Sequence, residues 1–330
     1  MSNEIRLPKP LFQDPVFGAP TDPVIVRNEE EEMWYLFFTQ RRATDIYVGA
    51  SWVHGTKIGV AVSRDGAKWL YRGALEGLDF EPGMNTFWAP EIVRIDGIYH
   101  MFVSYVQGVP VDWEYPRKIL HYTSADLWHW DFRGPVDFKS ERVIDACLYE
   151  VRPNRWKMWF KDENNHSYTT AAESSDLEQW TVLGPEITDC AQEGPNVFEF
   201  GGKKWLISDY WSGLAVYSSE DFIHWERRAD ILGDHGEVES DYGMGHHADV
   251  LVRGDRAYIV YFCTPMIDKV FAEKLSALDK NDPAYDRKRR ELFESVPGSK
   301  LNRANVQIAE LHIDGDDLIL DRNAAVYWEV

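Results

Sequence analysis

Three acids occupy comparable places in otherwise dissimilar stretches of the chain: Asp22 in Thr21-Asp22-Pro23, Asp145 in Ile144-Asp145-Ala146, and Glu193 in Glu193-Gly194-Pro195. A small residue or proline follows each, and then an apolar run. Two further segments share the pattern with other residues in the acid's place, Trp88-Ala89-Pro90-Glu91 and His246-His247-Ala248-Asp249. Acids scattered over a surface would not fall at one repeated step. Three carboxyls brought to one hollow suit cleavage of a glycosidic bond. That reaction needs one carboxylate as base or nucleophile and one carboxylic acid to protonate the leaving oxygen. A third acid nearby raises the pKa of the proton donor by like-charge repulsion. The bland reading is that such acids make turn hydrogen bonds at strand ends, as Asp before Pro often does. It explains one acid more readily than three in register.

A ring of repeated sheets could gather residues so far apart in sequence. A short phrase recurs at 63–69, 124–130, 174–180 and 219–225, a small-polar–Asp turn closed by Trp69, Trp130, Trp180 and Trp225. The spacings of 61, 50 and 45 residues fit four-stranded propeller blades. Five units can be written. Their first strands are 23–26, 91–95, 147–151, 196–200 and 249–252, and the three acids stand at the entrances of the first, third and fourth. The second strands, 34–39, 98–105, 156–161, 204–209 and 257–263, are rich in aromatic and β-branched residues. Third strands follow at 58–62, 118–122, 167–171, 214–217 and 306–311. The expected fold is all-β, a single five-bladed β-propeller over 1–330. Residues 266–300 read as a short helical insertion in the last blade, with helices over 269–278 and 286–295. Residues 325–330, or the segment before Asp22, are expected to complete a blade and close the ring.

Composition narrows the partners. The net charge of −20 argues against nucleic acid, which needs clustered Lys and Arg. Fourteen Trp suit both packed sheets and the C–H faces of sugars. Cys147, Cys190 and Cys263 are odd in number, far apart, and without metal spacing. No apolar run resembles a signal peptide or a membrane span, so a cytoplasmic protein is the expectation. The composition does not set the oligomeric state, and a homo-oligomer remains open.

The ordered set of Asp-Pro, Trp-Ala-Pro-Glu, Ile-Asp, Glu-Gly-Pro and Gly-x-Gly-His resembles glycoside hydrolase family 43, over the chain up to about residue 320. That family contains five-bladed propellers, among them arabinofuranosidases, xylosidases and arabinanases. The resemblance implies Asp22 as general base, Glu193 as general acid, and Asp145 as the residue that orients Glu193 and tunes its pKa. It implies inversion, with base and acid about 6.5–9.5 Å apart. His246 matches a histidine near the channel centre that faces a metal ion or water cluster. No cofactor is required by this reading, and a structural calcium ion in the channel is the metal it allows. Two departures stand out. Glu91 replaces the usual Asp, and Asp14-Pro15-Val16 duplicates Asp22-Pro23-Val24, which makes Asp14 a rival base. The Asn-Asp-Pro-Asn signature of the related fructose-acting families is missing. A related family acting on anhydrogalactose uses a His acid, and His246 and His247 keep that alternative open.

Register gives the substrate-facing candidates: Arg41, Phe87, Trp88, Glu91, Trp113, Asp162, His166, Trp211 and His247. The expected activity is an inverting exo-glycosidase on short oligosaccharides, of the α-L-arabinofuranosidase or β-xylosidase type. Two alternatives are a propeller that binds carbohydrate or protein without catalysis, and a glycoside phosphorylase, which would want a basic phosphate pocket.

Overall fold

The recurring phrase is the turn between the third and fourth strands of a blade. In four copies the Ser hydroxyl accepts from the N–H three residues on, at Gly66, Leu127, Leu177 and Phe222. Those four residues take the left-handed conformation, φ +61° to +71°. The Asp carboxylate then accepts the two N–H groups that follow, for example those of Trp128 and His129 on Asp126. The closing Trp drops into the wedge between its own blade and the preceding one. In three copies its Nε1 returns to the backbone, on Gly66, Leu127 and Leu177, and Trp225 instead donates to Glu186.

The computed structural model describes residues 4–44, 49–265, 269–279 and 282–329. Among them are five four-stranded antiparallel sheets, each built from strands consecutive in sequence. The innermost strands are Gly18–Asn28, Thr86–Ile95, Val143–Arg152, Glu193–Phe200 and Gly245–Arg253. They open blades I to V and neighbour one another around the ring. The second strands are Met33–Arg42, Ile98–Val106, Arg155–Asp162, Lys203–Asp209 and Arg256–Cys263. An apolar wedge fills each gap between blades. Between blades I and II, for instance, Tyr35 and Phe37 meet Met101, Tyr122 and Trp130. Burying a side chain of this size contributes about 1.5–3 kcal/mol.

Each innermost strand breaks register at the same step. The breaks fall between Thr21 and Val24, Trp88 and Glu91, Ile144 and Cys147, Glu193 and Asn196, and His246 and Ala248. The bulge residues of blades I to IV have positive φ: Asp22 +50°, Ala89 +45°, Asp145 +61° and Gly194 +57°. A bulge bends its strand and re-aims a side chain. Here it also joins the blades. Ala89 N donates to Thr39 Oγ1 at 2.8 Å, Asp145 N to Ser104 Oγ at 2.9 Å, Gly194 N to Asp145 Oδ2 at 3.1 Å, and His247 N to Asp209 Oδ2 at 3.2 Å. In every case the acceptor belongs to the preceding blade.

The chain ends depart from expectation. The fourth strand of blade V is Asp317–Leu320, so among the described residues no terminal segment completes a blade. Tyr327–Glu329 instead pairs with Glu4–Arg6 in a separate two-stranded ribbon. The ribbon closes the ring from outside. Trp328 lies in the wedge between blades V and I and donates to Asp65 O at 2.8 Å. Its ring occupies the place a Cβ on Gly66 would need, 1.5 Å away. Residue 330 lies outside the described residues. The insertion forms helices Lys269–Ser276, Tyr285–Glu294 and Gly298–Leu301 between the second and third strands of blade V. The expected span 266–300 also includes 266–268 and 280–281, which lie outside the described residues.

Candidate active site

The five bulges surround a cavity of about 640 Å³ at one end of the channel. Asp22, Asp145 and Glu193 all line it, with Arg41, Trp88, Trp113, Trp211, His246 and His247. The bulge explains how. Asp22 and Asp145 are themselves bulge residues. Glu193 stands one step earlier, where Gly194 takes the left-handed position. A Cβ on Gly194 would lie 2.6 Å from the His247 ring, so only glycine fits there.

His247 stands between the first two acids. Its Nδ1 is 3.5 Å from Asp22 Oδ1 and 3.9 Å from Asp145 Oδ2. Arg41 Nη2 approaches Asp22 Oδ1 at 3.6 Å, and Thr21 Oγ1 donates to Asp22 Oδ2 at 3.1 Å. Burial lowers the affinity of His247 for a proton, but Asp145 and Asp22 outweigh it and its pKa is raised. Glu193 is held differently. Lys161 Nζ donates to its Oε2 at 2.9 Å and Trp211 Nε1 to its Oε1 at 3.0 Å. Burial pushes Glu193 up, yet the Lys161 ammonium overrides this and the carboxyl lies below its ordinary range. Asp145 is pushed up to about 7, by burial first and then by Glu193 and Asp22 against the pull of His247. Asp145 thus carries the raised pKa and Glu193 the lowered one.

Four of the candidate substrate contacts do not face the cavity. Successive residues of a strand point to opposite faces. Trp88 faces the cavity, so Phe87 is turned into the wedge between blades I and II and is fully buried. Likewise Lys161 faces the cavity and Asp162 turns away, capping the turn at 163–165 and accepting from Ser140 Oγ at 2.8 Å. Glu91 lies past its bulge, deeper in the ring, where its Oε1 accepts from Leu148 N at 2.8 Å. His166 ends the 163–165 turn exposed to solvent, its ring against Tyr168. The rival base Asp14 is buried outside the cavity, where it accepts from Val16 N, Phe17 N and Gln40 Nε2.

The cavity is also lined by residues outside the sequence-based candidates, among them Trp52, Arg117, Arg142, Lys161, Glu163 and Asp209. Lys161 and Asp209 could have been found by register, because they pair directly with Ile144 and Glu193. Arg117, Arg142 and Glu163 lie in connections whose length differs from blade to blade, so no repeat points to them. Glu163 Oε2 meets Arg117 Nε at 3.3 Å and Arg142 Nη2 at 3.1 Å, and its Oε1 meets Lys161 Nζ at 3.3 Å.

His246 does line the cavity, and its Nδ1 lies 3.0 Å from Asp209 Oδ2. Calcium wants six to eight oxygen ligands. Among the described residues no three or more His, Cys, Asp or Glu side chains are grouped to hold a metal ion. An ion held through water, as expected at His246, does not require such a group.

Comparison with known proteins agrees with the propeller fold. The model for glycosyl hydrolases family 43 matches residues 12–209, which carry Asp22, Asp145 and Glu193. An α-L-arabinofuranosidase from Humicola insolens is 21% identical over 216 residues, covering 54% of this chain and 44% of that protein, so the match spans less than half of that relative's length. A thermostable family-43 glycoside hydrolase superposes with a TM-score of 0.61 at 16% identity, over 94% of this chain and 95% of its own. A β-xylosidase/α-arabinofuranosidase from a compost microbial metagenome gives 0.63 at 11% identity, over 97% and 98%. A family-32 β-fructofuranosidase of Bombyx mori gives 0.64 at 13% identity, over 94% and 63%, so the fold alone does not select a substrate. The family match extends over more than half of the chain and holds all three acids: the chain belongs to glycosyl hydrolases family 43.

Proposed function

We propose that the chain is an inverting glycosidase that removes one sugar from the end of a short oligosaccharide, of the α-L-arabinofuranosidase or β-xylosidase type. One observation carries the reading: Asp22, Asp145 and Glu193, remote in sequence, line a single cavity of sugar size. Asp22 is the base that takes a proton from the attacking water. Glu193 protonates the leaving oxygen. Asp145 orients Glu193's strand by accepting from Gly194 N. Trp113 and Trp211, each about half exposed, offer aromatic faces at the rim. Family membership and the xylosidase and arabinofuranosidase relatives support this choice of sugar.

The test is a panel of aryl glycosides with Asp22→Ala and Glu193→Ala. Each variant is expected to lose activity while keeping its circular-dichroism spectrum and Tm. A variant with near-full activity removes that residue from its role. Proton NMR of the first-formed sugar reads the anomer, and the opposite anomer to the substrate is the expected product. No metal is needed in this mechanism, so activity is expected to survive a chelator.

A phosphorylase is the second reading, favoured by the four cations Arg41, Arg117, Arg142 and Lys161 lining the cavity. Three of them already surround Glu163, which favours hydrolysis. Sugar release that requires phosphate and yields a sugar phosphate would reverse that preference.

A further inference from the structure

Lys161 lies between two carboxylates that are held in place by other groups. Its Nζ donates to Glu193 Oε2 at 2.9 Å and is 3.3 Å from Glu163 Oε1. The side chain is only 7% exposed, so the ammonium cannot simply turn out into solvent. Glu163 is fixed by Arg117 and Arg142 on its other oxygen. Glu193 has both oxygens engaged, one with Lys161 and one with Trp211 Nε1. A carboxylate with an ammonium at 2.9 Å is held ionised and has no proton to hand to a glycosidic oxygen. The ammonium must move away before Glu193 can hold the proton it gives as an acid. Glu163 offers the ammonium a second seat within the same reach.

We propose that Lys161 is a positioning residue that holds Glu193 ionised in the empty enzyme and shifts its contact onto Glu163 when a sugar fills the cavity, freeing Glu193 to take up a proton. This rests on Glu193 being the general acid. The protons balance over a turnover. Glu193 takes one from solvent as Lys161 leaves and gives it to the leaving oxygen as the glycosidic bond breaks. Asp22 takes one from the water whose oxygen bonds to the sugar, and returns it to solvent.

Other charges also face Glu193. Arg41 on the second strand of blade I and His247 on the innermost strand of blade V draw it down. Asp145 on the innermost strand of blade III opposes them. His246 on blade V stands against Asp209 on the second strand of blade IV. None of these others has a hydrogen bond to the Glu193 carboxylate, whereas Lys161 has one and also has the alternative seat.

The experiment compares pH profiles of kcat/KM, which report the free enzyme, with those of kcat, which report the substrate complex. The probe is whichever aryl glycoside the wild type hydrolyses, with a poor leaving group. In the wild type the alkaline limb of kcat/KM is expected at lower pH than that of kcat. Lys161→Met, which keeps the apolar stem, should move the kcat/KM limb upward by about 1–3 pH units and bring the two limbs together, since a neighbouring cation lowers a carboxyl by that much. Glu163→Gln removes the second seat, so its kcat limb should fall toward its kcat/KM limb. If Lys161→Met lowers both parameters equally at every pH, or leaves the limb in place, the shift does not occur. If Lys161→Met does not fold, an unmoved kcat limb in Glu163→Gln overturns the proposal. Glu193→Ala separates the two levels. If it keeps its alkaline limb and its activity, the acid assignment fails; if it is inactive and the limbs of the other variants stay put, only the role of Lys161 fails.

Discussion

Aspartates stand at the outer turns of blades I to IV and at the inner bulges of blades I and III, and the outer turns and the bulge of blade III treat the acid in opposite ways. At the outer turn, Asp126 accepts from two backbone N–H groups, from Ser124 Oγ, and from His129. Burial pushes it up, the hydrogen bonds together outweigh that push, and its pKa falls to about 2. Asp65, Asp176 and Asp221 are lowered in the same setting. At the inner bulge, Asp145 is buried beside Glu193 and Asp22, and its pKa rises to about 7. The residue type is the same. Donors converge on the outer acids and make them structural; burial and two other carboxyls bear on Asp145 and make its proton hard to lose.

The largest effect expected from breaking this contrast is at the inner acids. Glu193→Ala or Asp22→Ala should lower kcat by about 10²–10⁴-fold, the usual loss for a general acid or base. The same replacement at Asp126 should leave kcat unchanged. Next comes the frame that aims the inner acids. Gly194→Ala forces a Cβ against His247 from a left-handed backbone, and should cost about 10²-fold in kcat/KM by misplacing Glu193. The third prediction concerns the sign of the pH dependence. Asp145 binds its proton more tightly folded than unfolded, so its contribution to stability is complete below about pH 4 and is lost as pH rises toward about 7. Asp145→Asn should flatten the fall of Tm over that range. Asp126 behaves in the opposite sense: its contribution is present above about pH 4 and disappears as pH falls toward about 2. Asp126→Ala should therefore lower stability by about 1 kcal/mol at neutral pH and by less in acid, read from urea denaturation. A shared sign at the two positions would dissolve the comparison.

The blades were legible because their periodicity is carried by single residues with strong local demands. The Ser hydroxyl, the Asp carboxylate and the Trp recur because the turn between the third and fourth strands needs each of them. The step that gathers Asp22, Asp145 and Glu193 was legible for the same reason, since a bulge favours small residues and Pro beside it. What escaped was set by alternation and by irregular connections. Phe87 and Trp88 are adjacent, and nothing in the sequence says which faces the cavity. Asp162 and Lys161 pose the same problem, and there Lys161 rather than the expected Asp162 lines the cavity. Trp52, Arg117 and Arg142 reach the cavity from segments with no counterpart in other blades. The fourth strand of blade V was missed because its turn, Asp314 to Asp317, lacks the Ser–Asp–Trp phrase.

The ribbon between the chain ends has a consequence for how the molecule assembles. Four of the five wedges join blades adjacent in sequence, but the one between blades V and I joins residues such as Trp34 and Trp328, almost the whole chain apart. Contacts with so large a sequence separation are entropically costly to form early. Blades I to IV can accumulate as an open arc, and the last step brings His246 and His247 across to Asp22 and Glu193. Reactivity should therefore appear all at once during refolding, after most of the sheet signal has already returned.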